Sequence, residues 1–247
     1  MVRLLSQRQR NRQDSDRRLG ARLTFAVAAV VVFSVPFILL LVFVVSSFGP
    51  LNDFDRSVAR QLHAQALAEP GYAHFLNVAT DVLGPTTWRV LVVAVAISLW
   101  VRGSRRVAVW AVVTITVSGL LNLAIKDIVN RARPVLPDPV SWAPGASFPS
   151  GHAMGVATCT CVLALVLLPY LKGWGLRFAV WAAATAFTVF VAYSRVALGV
   201  HWFSDVVAGT TLGVAVVAGT AAGFESWRRG EGRRPAEPYK EGVQPEE

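Results

Sequence analysis

Charged residues are scarce in this chain. Lysine, arginine, aspartate and glutamate make up 16% of its 247 residues, whereas 54% are hydrophobic and the mean hydropathy is +0.48. In an ordinary soluble domain about a quarter of the residues are charged. Residues 23–52 contain no charged side chain at all. This scarcity excludes an ordinary soluble domain and indicates an integral membrane protein.

Cysteine is nearly absent as well. Cys159 and Cys161 are the only two, and both lie in one apolar run. Residues two apart on a helix point to different sides, which argues against a disulfide or a metal site between these two thiols. We therefore interpret both cysteines as small packing residues.

Positive charge, in contrast, is present in excess. The formal net charge is +9 and the isoelectric point is about 10.5. Proteins that bind nucleic acid gather such charge on one soluble face, often among aromatic residues. Here the lysines and arginines stand at the ends of long apolar runs. The sequence therefore predicts the membrane bilayer as a partner and no nucleic acid.

Six apolar runs have the length of transmembrane helices. A helix rises 1.5 Å per residue, so about 20 residues cross a hydrocarbon core of about 30 Å. The predicted fold is therefore all-α, a polytopic bundle of six transmembrane helices. Within the second span, Arg89 must snorkel or face a polar cavity. The predicted spans are residues 23–45, 87–101, 107–125, 153–171, 178–193 and 206–224.

The segment between the first two spans has a different pattern. Residues 52–87 carry apolar side chains at helical spacing among charged ones, with breaks at Pro70-Gly71 and Gly84-Pro85. This pattern predicts short amphipathic helices at the membrane surface. Ordinary packing elements fit it equally well. We expect His63 and His74, which lie here, at the membrane interface rather than in a catalytic site.

The ends of the chain are polar. Residues 1–22, with seven arginines, and residues 227–247, rich in proline and glutamate, are predicted to be disordered tails of a membrane domain at 23–226. If the six spans alternate, 17 of the 24 lysines and arginines fall on the side of these tails. The positive-inside rule then predicts that both termini lie in the cytoplasm, and we expect the protein in the plasma membrane.

Polar residues concentrate at the opposite ends of four predicted spans. Because neighbouring spans alternate in direction, these ends meet at one face of the bundle. Charge near hydrocarbon is costly and usually functional. Ser150 is also a favoured N-cap, and the free N–H groups of a helix start bind anions. Three cations around such a terminus predict a site for a phosphoryl group on the extracytoplasmic face. The candidate site residues are Lys126, Arg133, Ser150, Gly151, His152, Arg195, His201 and Asp205.

The order and spacing of these residues resemble the three-part signature of the type 2 phosphatidic acid phosphatase superfamily. That superfamily also includes vanadium haloperoxidases and bacterial acid phosphatases. The first part has six residues between a lysine and Arg-Pro, the second is Pro-Ser-Gly-His, and the third has five residues between Ser-Arg and a histidine, then three before an aspartate. These parts are Lys126 to Pro134, Pro149 to His152, and Ser194 to Asp205.

The resemblance implies a role for each residue. His201 would attack phosphorus and form a phosphohistidine, and Asp205 would accept the proton of its other ring nitrogen. His152 would protonate the leaving oxygen and then activate water. The phosphate oxygens would be held by Lys126, Arg133, Ser150, Gly151 and Arg195. No metal or other cofactor is implied, and too few carboxylates lie nearby for a two-metal hydrolase.

The expected function is a membrane phosphatase that hydrolyses a lipid phosphate monoester or pyrophosphate. Undecaprenyl pyrophosphate, phosphatidic acid and phosphatidylglycerol phosphate are the leading substrates. Its pH–rate profile should be bell-shaped, because His201 must be neutral while His152 is protonated. The alternatives are a lipid phosphotransferase with the same phosphohistidine and a non-catalytic lipid-phosphate binding or transport protein. Arg131 either contacts the substrate or is an exposed cation of the loop.

Overall fold

The computed structural model describes residues 24 and 27–230, with side chains as far as residue 224. Apart from the backbone of residues 227–230, the two predicted tails lie outside this part of the chain. The described residues form eight α-helices, a 3₁₀ turn at Leu168–Tyr170 and no strand. The helices are α1 (Val27–Val45), α2 (Gly49–Ala68), α3 (Pro70–Val82), α4 (Pro85–Val101), α5 (Arg105–Val129), α6 (Gly151–Leu167), α7 (Trp174–Ala197) and α8 (Phe203–Gly230).

Six stretches of the described residues are helical, long and apolar enough to cross a membrane. They are α1, the stretch Pro70–Val101 that includes α3 and α4, α5, α6 with its 3₁₀ turn, α7, and α8 as far as Phe224. The predicted all-α bundle of six spans is therefore confirmed. Helices α2 and α3 lie where amphipathic helices were predicted, and their position at the membrane surface stays a prediction.

Helix α6 lies at the centre of the bundle, packed against α4, α5, α7 and α8. Eleven of its residues are buried, more than in any other of the helices from α2 to α7. Two glycines of α8 allow its backbone to come close to the start of α6. A Cβ at Gly209 would lie 2.5 Å from the Ser150 carbonyl oxygen, and one at Gly213 would lie 2.8 Å from that of Met154. This close packing brings the first turns of α6 and α8 together.

Local sequence sets the helix ends that surround this junction. Pro85 stands in the first turn of α4, where its missing N–H costs nothing. Asn130 ends α5 in the left-handed conformation, with φ 43°, which asparagine tolerates better than most residues. Ser150 caps α6, and its hydroxyl accepts a hydrogen bond from the amide of Ala153. The loop at residues 130–150 therefore starts and ends at residues suited to breaking a helix.

Helix α2 packs against α7 and α8 instead of standing apart from the bundle. Its buried residues, spaced four, four and three apart, form one stripe. Two of the four are polar, and they face the ends of α7 and α8 that carry the candidate site. The buried residues of α2 are Asp55, Ala59, His63 and Ala66.

Candidate active site

The structure brings the eight candidate residues together at one end of the bundle. They come from the last turn of α5, the loop that follows it, the start of α6, the end of α7, and the turn into α8. Backbone contacts join these elements, since the amide of Ser150 donates to the Asp205 carbonyl (3.0 Å) and the amide of His201 to that of Arg195 (3.2 Å). The ends of four spans, α5 to α8, therefore lie together at one end of the bundle, as predicted.

His201 lies at the centre of the cluster and is only 2% exposed. Its Nε2 is 3.2 Å from Nη1 of Arg133, and its Nδ1 is 3.4 Å from Oδ2 of Asp205. Because a guanidinium can only donate, Nε2 must be the acceptor, and the ring proton then belongs on Nδ1, facing the carboxylate. This tautomer leaves a lone pair on Nε2, which is what a nucleophile requires.

The environment also keeps the imidazole uncharged. Burial lowers the pKa of His201 to about 4, although the neighbouring Asp205 opposes this shift. At neutral pH the ring is therefore neutral. Burial likewise lowers the pKa of Arg133, and Asp205 again opposes the shift.

Asp205 is fully buried and held on both oxygens. Its Oδ2 accepts a hydrogen bond from the amide of Trp202 (2.8 Å), and its Oδ1 accepts one from Nη1 of Arg131 (2.7 Å). The carboxylate therefore has a fixed orientation towards His201. Such an orienting group is the usual partner of a catalytic histidine.

Three predicted cations surround His201, and none forms an ion pair with a carboxylate within the described residues. Lys126 donates to the carbonyl of Ala146, and Arg133 donates to the carbonyls of Val200 (2.6 Å) and Gly145 (2.9 Å). Arg195 is 5% exposed, and its buried Nε has no hydrogen-bond partner. One buried and two half-buried cations, none paired with a carboxylate, create a positive environment that favours an anion.

The first turn of α6 completes the cluster. Gly151 is the first helical residue, and a Cβ there would come within 3.0 Å of the Asn122 amide oxygen. His152 follows, within electrostatic range of His201, Arg195 and the other two cations. The free amides at a helix start carry partial positive charge, so they add to the attraction for an anion.

A cavity of about 520 Å³ adjoins this end of α6, between it, α4 and α5. Gly151, His152 and Asn122 line it on one side, and Arg89 of α4 lines it on another. Arg89 is exposed and lines this cavity, as one of its two predicted alternatives requires, and snorkelling stays a prediction.

Sequence reasoning missed a buried charge network beside the site. Arg131 donates from Nη2 to Asp55 (2.8 Å) and from Nη1 to both Ser204 and Asp205 (2.7 Å each). Asp55 in turn accepts from the amide and the hydroxyl of Ser204. The side chains of Arg131 and Asp55 are 11% and 1% exposed, so the view of Arg131 as an exposed cation of the loop is wrong. Asp55 shares a face with small residues of α2, which is the signal that could have indicated its burial.

The expectation for His63 was also wrong. The residue is 3% exposed, and its Nε2 lies 2.9 Å from the Pro137 carbonyl of the site loop. His63 therefore packs inside the protein and holds the loop, because α2 brings it against the turn that ends α7. His74 is exposed, and its place at an interface stays a prediction.

Residues 107–229, which contain all eight candidate residues, match the model of the PAP2 superfamily. The chain belongs to this superfamily. Asp55 and Arg89 lie outside the matched range, so the buried network and the cavity combine residues from inside and outside the family's region.

Two curated proteins are similar to parts of this PAP2 member. Phosphatidylglycerophosphatase B of Bacillus subtilis is 39% identical over 98 residues, which are 38% of this chain and 47% of that protein. Undecaprenyl-diphosphatase of Sulfolobus acidocaldarius is 29% identical over 127 residues, which are 48% and 55% of the two chains. The chain thus spans about half the length of the curated relatives it matches.

A solved structure shares the fold. The transmembrane PAP2 type phosphatidylglycerolphosphate phosphatase of Bacillus subtilis superimposes with a TM-score of 0.71. The match covers 80% of this chain and 96% of that one, at 24% sequence identity. The bundle described above is therefore the architecture of a known multi-pass membrane protein.

Proposed function

We propose that this protein is an integral membrane phosphatase that hydrolyses a lipid phosphate monoester or diphosphate through a phosphohistidine at His201. One observation carries the proposal. His201 is buried and neutral, with Nε2 facing Arg133 and Nδ1 facing Asp205. A histidine that only supported the fold would not need a guanidinium on one ring nitrogen and a carboxylate on the other.

The first step forms a bond between phosphorus and Nε2 of His201 and breaks the bond between phosphorus and the leaving oxygen. His152 gives its proton to that oxygen, and Asp205 stabilises the positive charge on the His201 ring. Lys126, Arg133 and Arg195, with the amides at Ser150 and Gly151, hold the other phosphate oxygens. Each of these contacts strengthens as charge develops, so removing one should cost orders of magnitude in rate.

In the second step water attacks the phosphohistidine. His152, now neutral, takes the proton of the water, the phosphorus–nitrogen bond breaks, and its electron pair returns to Nε2. Inorganic phosphate leaves, and both histidines regain their starting protonation states. Every step uses groups of this chain alone, so we expect turnover to persist in a chelator.

The substrate class follows from the depth of the site. Its residues belong to the ends of membrane spans, so a lipid headgroup can reach them while its tail stays in the bilayer. The names of the two relatives support a phosphatidylglycerol phosphate or an undecaprenyl diphosphate as substrate. Phosphatidic acid is a third candidate, as the sequence signature predicts.

The test measures phosphate release by the purified protein in detergent with EDTA. Undecaprenyl diphosphate, phosphatidylglycerol phosphate, phosphatidic acid and a soluble monoester are compared. His201→Ala should abolish release, and His74→Ala, which changes an exposed histidine, should not. No release from any substrate by a folded protein would overturn the proposal. Transfer to an added lipid acceptor, with no inorganic phosphate formed, would instead identify a phosphotransferase.

The orientation is part of the same proposal. With both termini in the cytoplasm, the site opens on the extracytoplasmic face of the plasma membrane. A green fluorescent protein fused to the C-terminus should fluoresce, and an alkaline phosphatase fused there should be inactive. The reverse pattern would contradict this orientation.

A further inference from the structure

Arg89 is the one cation among the residues that line the cavity beside His152. It stands one turn into α4, within the apolar stretch Pro70–Val101. Within the described residues it forms no hydrogen bond and no ion pair. Its side chain is exposed, and an arginine within an apolar span is costly unless it serves a function or reaches the interface.

Helix α5 lies beside this side chain. Gly119 faces it, and a Cβ built on Gly119 would lie 3.8 Å from Nη2 of Arg89. The cavity therefore has a guanidinium on the α4 side and the start of α6, with Gly151 and His152, on another. Asn122 adds a further polar group, and Leu120 and Leu123 add apolar surface.

The direction of the reaction assigns this cavity to the leaving group. In phosphoryl transfer the attacking and leaving atoms lie roughly in line, on opposite sides of phosphorus. His201 attacks from its side, and His152 donates its proton to the leaving oxygen on the other. Since His152 lines the cavity and His201 does not, whatever remains attached to that oxygen should enter the cavity.

We infer that Arg89 binds a second phosphate group of the substrate, the one that stays with the lipid after hydrolysis. This inference rests on the proposed function and narrows its substrate class. A guanidinium can contact two oxygens of a phosphate at once, and it does so most strongly where water is scarce. The leucines suit the first carbons of the lipid chain.

The consequence is a preference for lipids that carry two phosphates. A lipid diphosphate leaves a lipid monophosphate in the cavity, and phosphatidylglycerol phosphate leaves a lipid with a phosphodiester. Both products are anions. Phosphatidic acid leaves diacylglycerol, which has no charge for Arg89 to bind. Arg89 would thus set the ratio of kcat/KM between the two kinds of substrate.

The experiment compares purified wild type and Arg89→Gln on phosphatidylglycerol phosphate, undecaprenyl diphosphate and phosphatidic acid. We expect the ratio of kcat/KM for either two-phosphate lipid to that for phosphatidic acid to fall roughly tenfold to a hundredfold, the usual effect of losing a charge-assisted hydrogen bond. Arg89→Lys keeps the charge and should give an intermediate ratio. Arg102→Gln, at the other end of α4, is the matched control and should leave the ratio unchanged.

The results of this experiment distinguish a failure of the Arg89 inference from a failure of the proposed phosphatase function. An unchanged ratio in Arg89→Gln, including an equal loss on all three lipids, would overturn the role of Arg89 and leave the phosphatase intact. A wild type that hydrolyses none of the lipids would overturn both. Activity on phosphatidic acid serves as the internal check that the variant is folded.

Discussion

Two buried arginines at the site end of the bundle have opposite surroundings. Arg131 contacts the carboxylates of Asp55 and Asp205 at 2.8 and 2.7 Å, so its charge is balanced within the protein. Arg195 is buried as well, yet it pairs with no carboxylate in the described chain, and its Nε has no partner. The first arrangement supports the fold, whereas the second leaves positive charge for an anion. Pairing, more than depth, distinguishes a structural arginine from a ligand-binding one.

Removing the balanced arginine should have the largest effect. Arg131→Gln removes the cation that pairs with two buried carboxylates, and breaking a buried pair in this way costs about 3 to 5 kcal/mol. We expect a clear fall in melting temperature in detergent. Adding Asp55→Asn removes one of the unpaired charges and should restore part of the stability. An unchanged melting temperature in Arg131→Gln would show that the two arginines do not differ as described.

Removing the unbalanced arginine should affect catalysis instead. Arg195→Gln deletes a donor to the phosphate, and losing such a donor lowers turnover about a hundredfold to a thousandfold. Because no carboxylate loses its partner, the melting temperature should stay the same or rise. Turnover and melting temperature are measured on the same preparation of the variant. A melting temperature that falls as far as in Arg131→Gln would remove the contrast between the two positions.

The pH dependence of the rate should reflect the burial of His201, which faces Arg133 on one side and Asp205 on the other. The bell-shaped profile expected from the sequence requires a neutral His201, and an unperturbed histidine titrates at about pH 6.5. Burial lowers the pKa of His201 to about 4, so the ring stays neutral, and reactive, down to that pH. Below it, protonation blocks attack, and kcat/KM should fall about tenfold per pH unit.

The pH profile is measured as kcat/KM, which reports the free enzyme. Activity that returns after a brief acid exposure distinguishes protonation from unfolding. An acid limb near pH 6.5 would mean that His201 is solvated in the active protein, contrary to its burial here.

The smallest effect is expected at the loop that carries Arg131 and Arg133. His63→Ala removes the contact between Nε2 and the Pro137 carbonyl, and a single hydrogen bond contributes about 1 kcal/mol net. Stability should drop slightly, with a loss of kcat/KM well below that of Arg195→Gln. The exposed His74→Ala is the matched control. A larger loss of activity than in Arg195→Gln would make the loop, and not the free cations, the main determinant of catalysis.

Much of this arrangement can be predicted from the sequence because it is local. Apolar runs of membrane length predict the spans, and their alternation predicts that Lys126, His152, Arg195 and His201 meet at one end. Ser150 predicts the start of α6 through its capping hydroxyl. These features depend on residues close together in the chain, and regular helices carry them to their positions.

Other features were decided only by the tertiary structure. Arg131 is a cation in a polar loop, and nothing in its neighbours shows that Asp55, 76 residues earlier, will reach it. His63 and Arg89 likewise acquire their surroundings from helices that are distant in sequence. A sequence determines which residues carry charge and which segments are helical. Whether a charge is neutralised, solvated or left for a ligand depends on which side chains packing brings within a few ångströms.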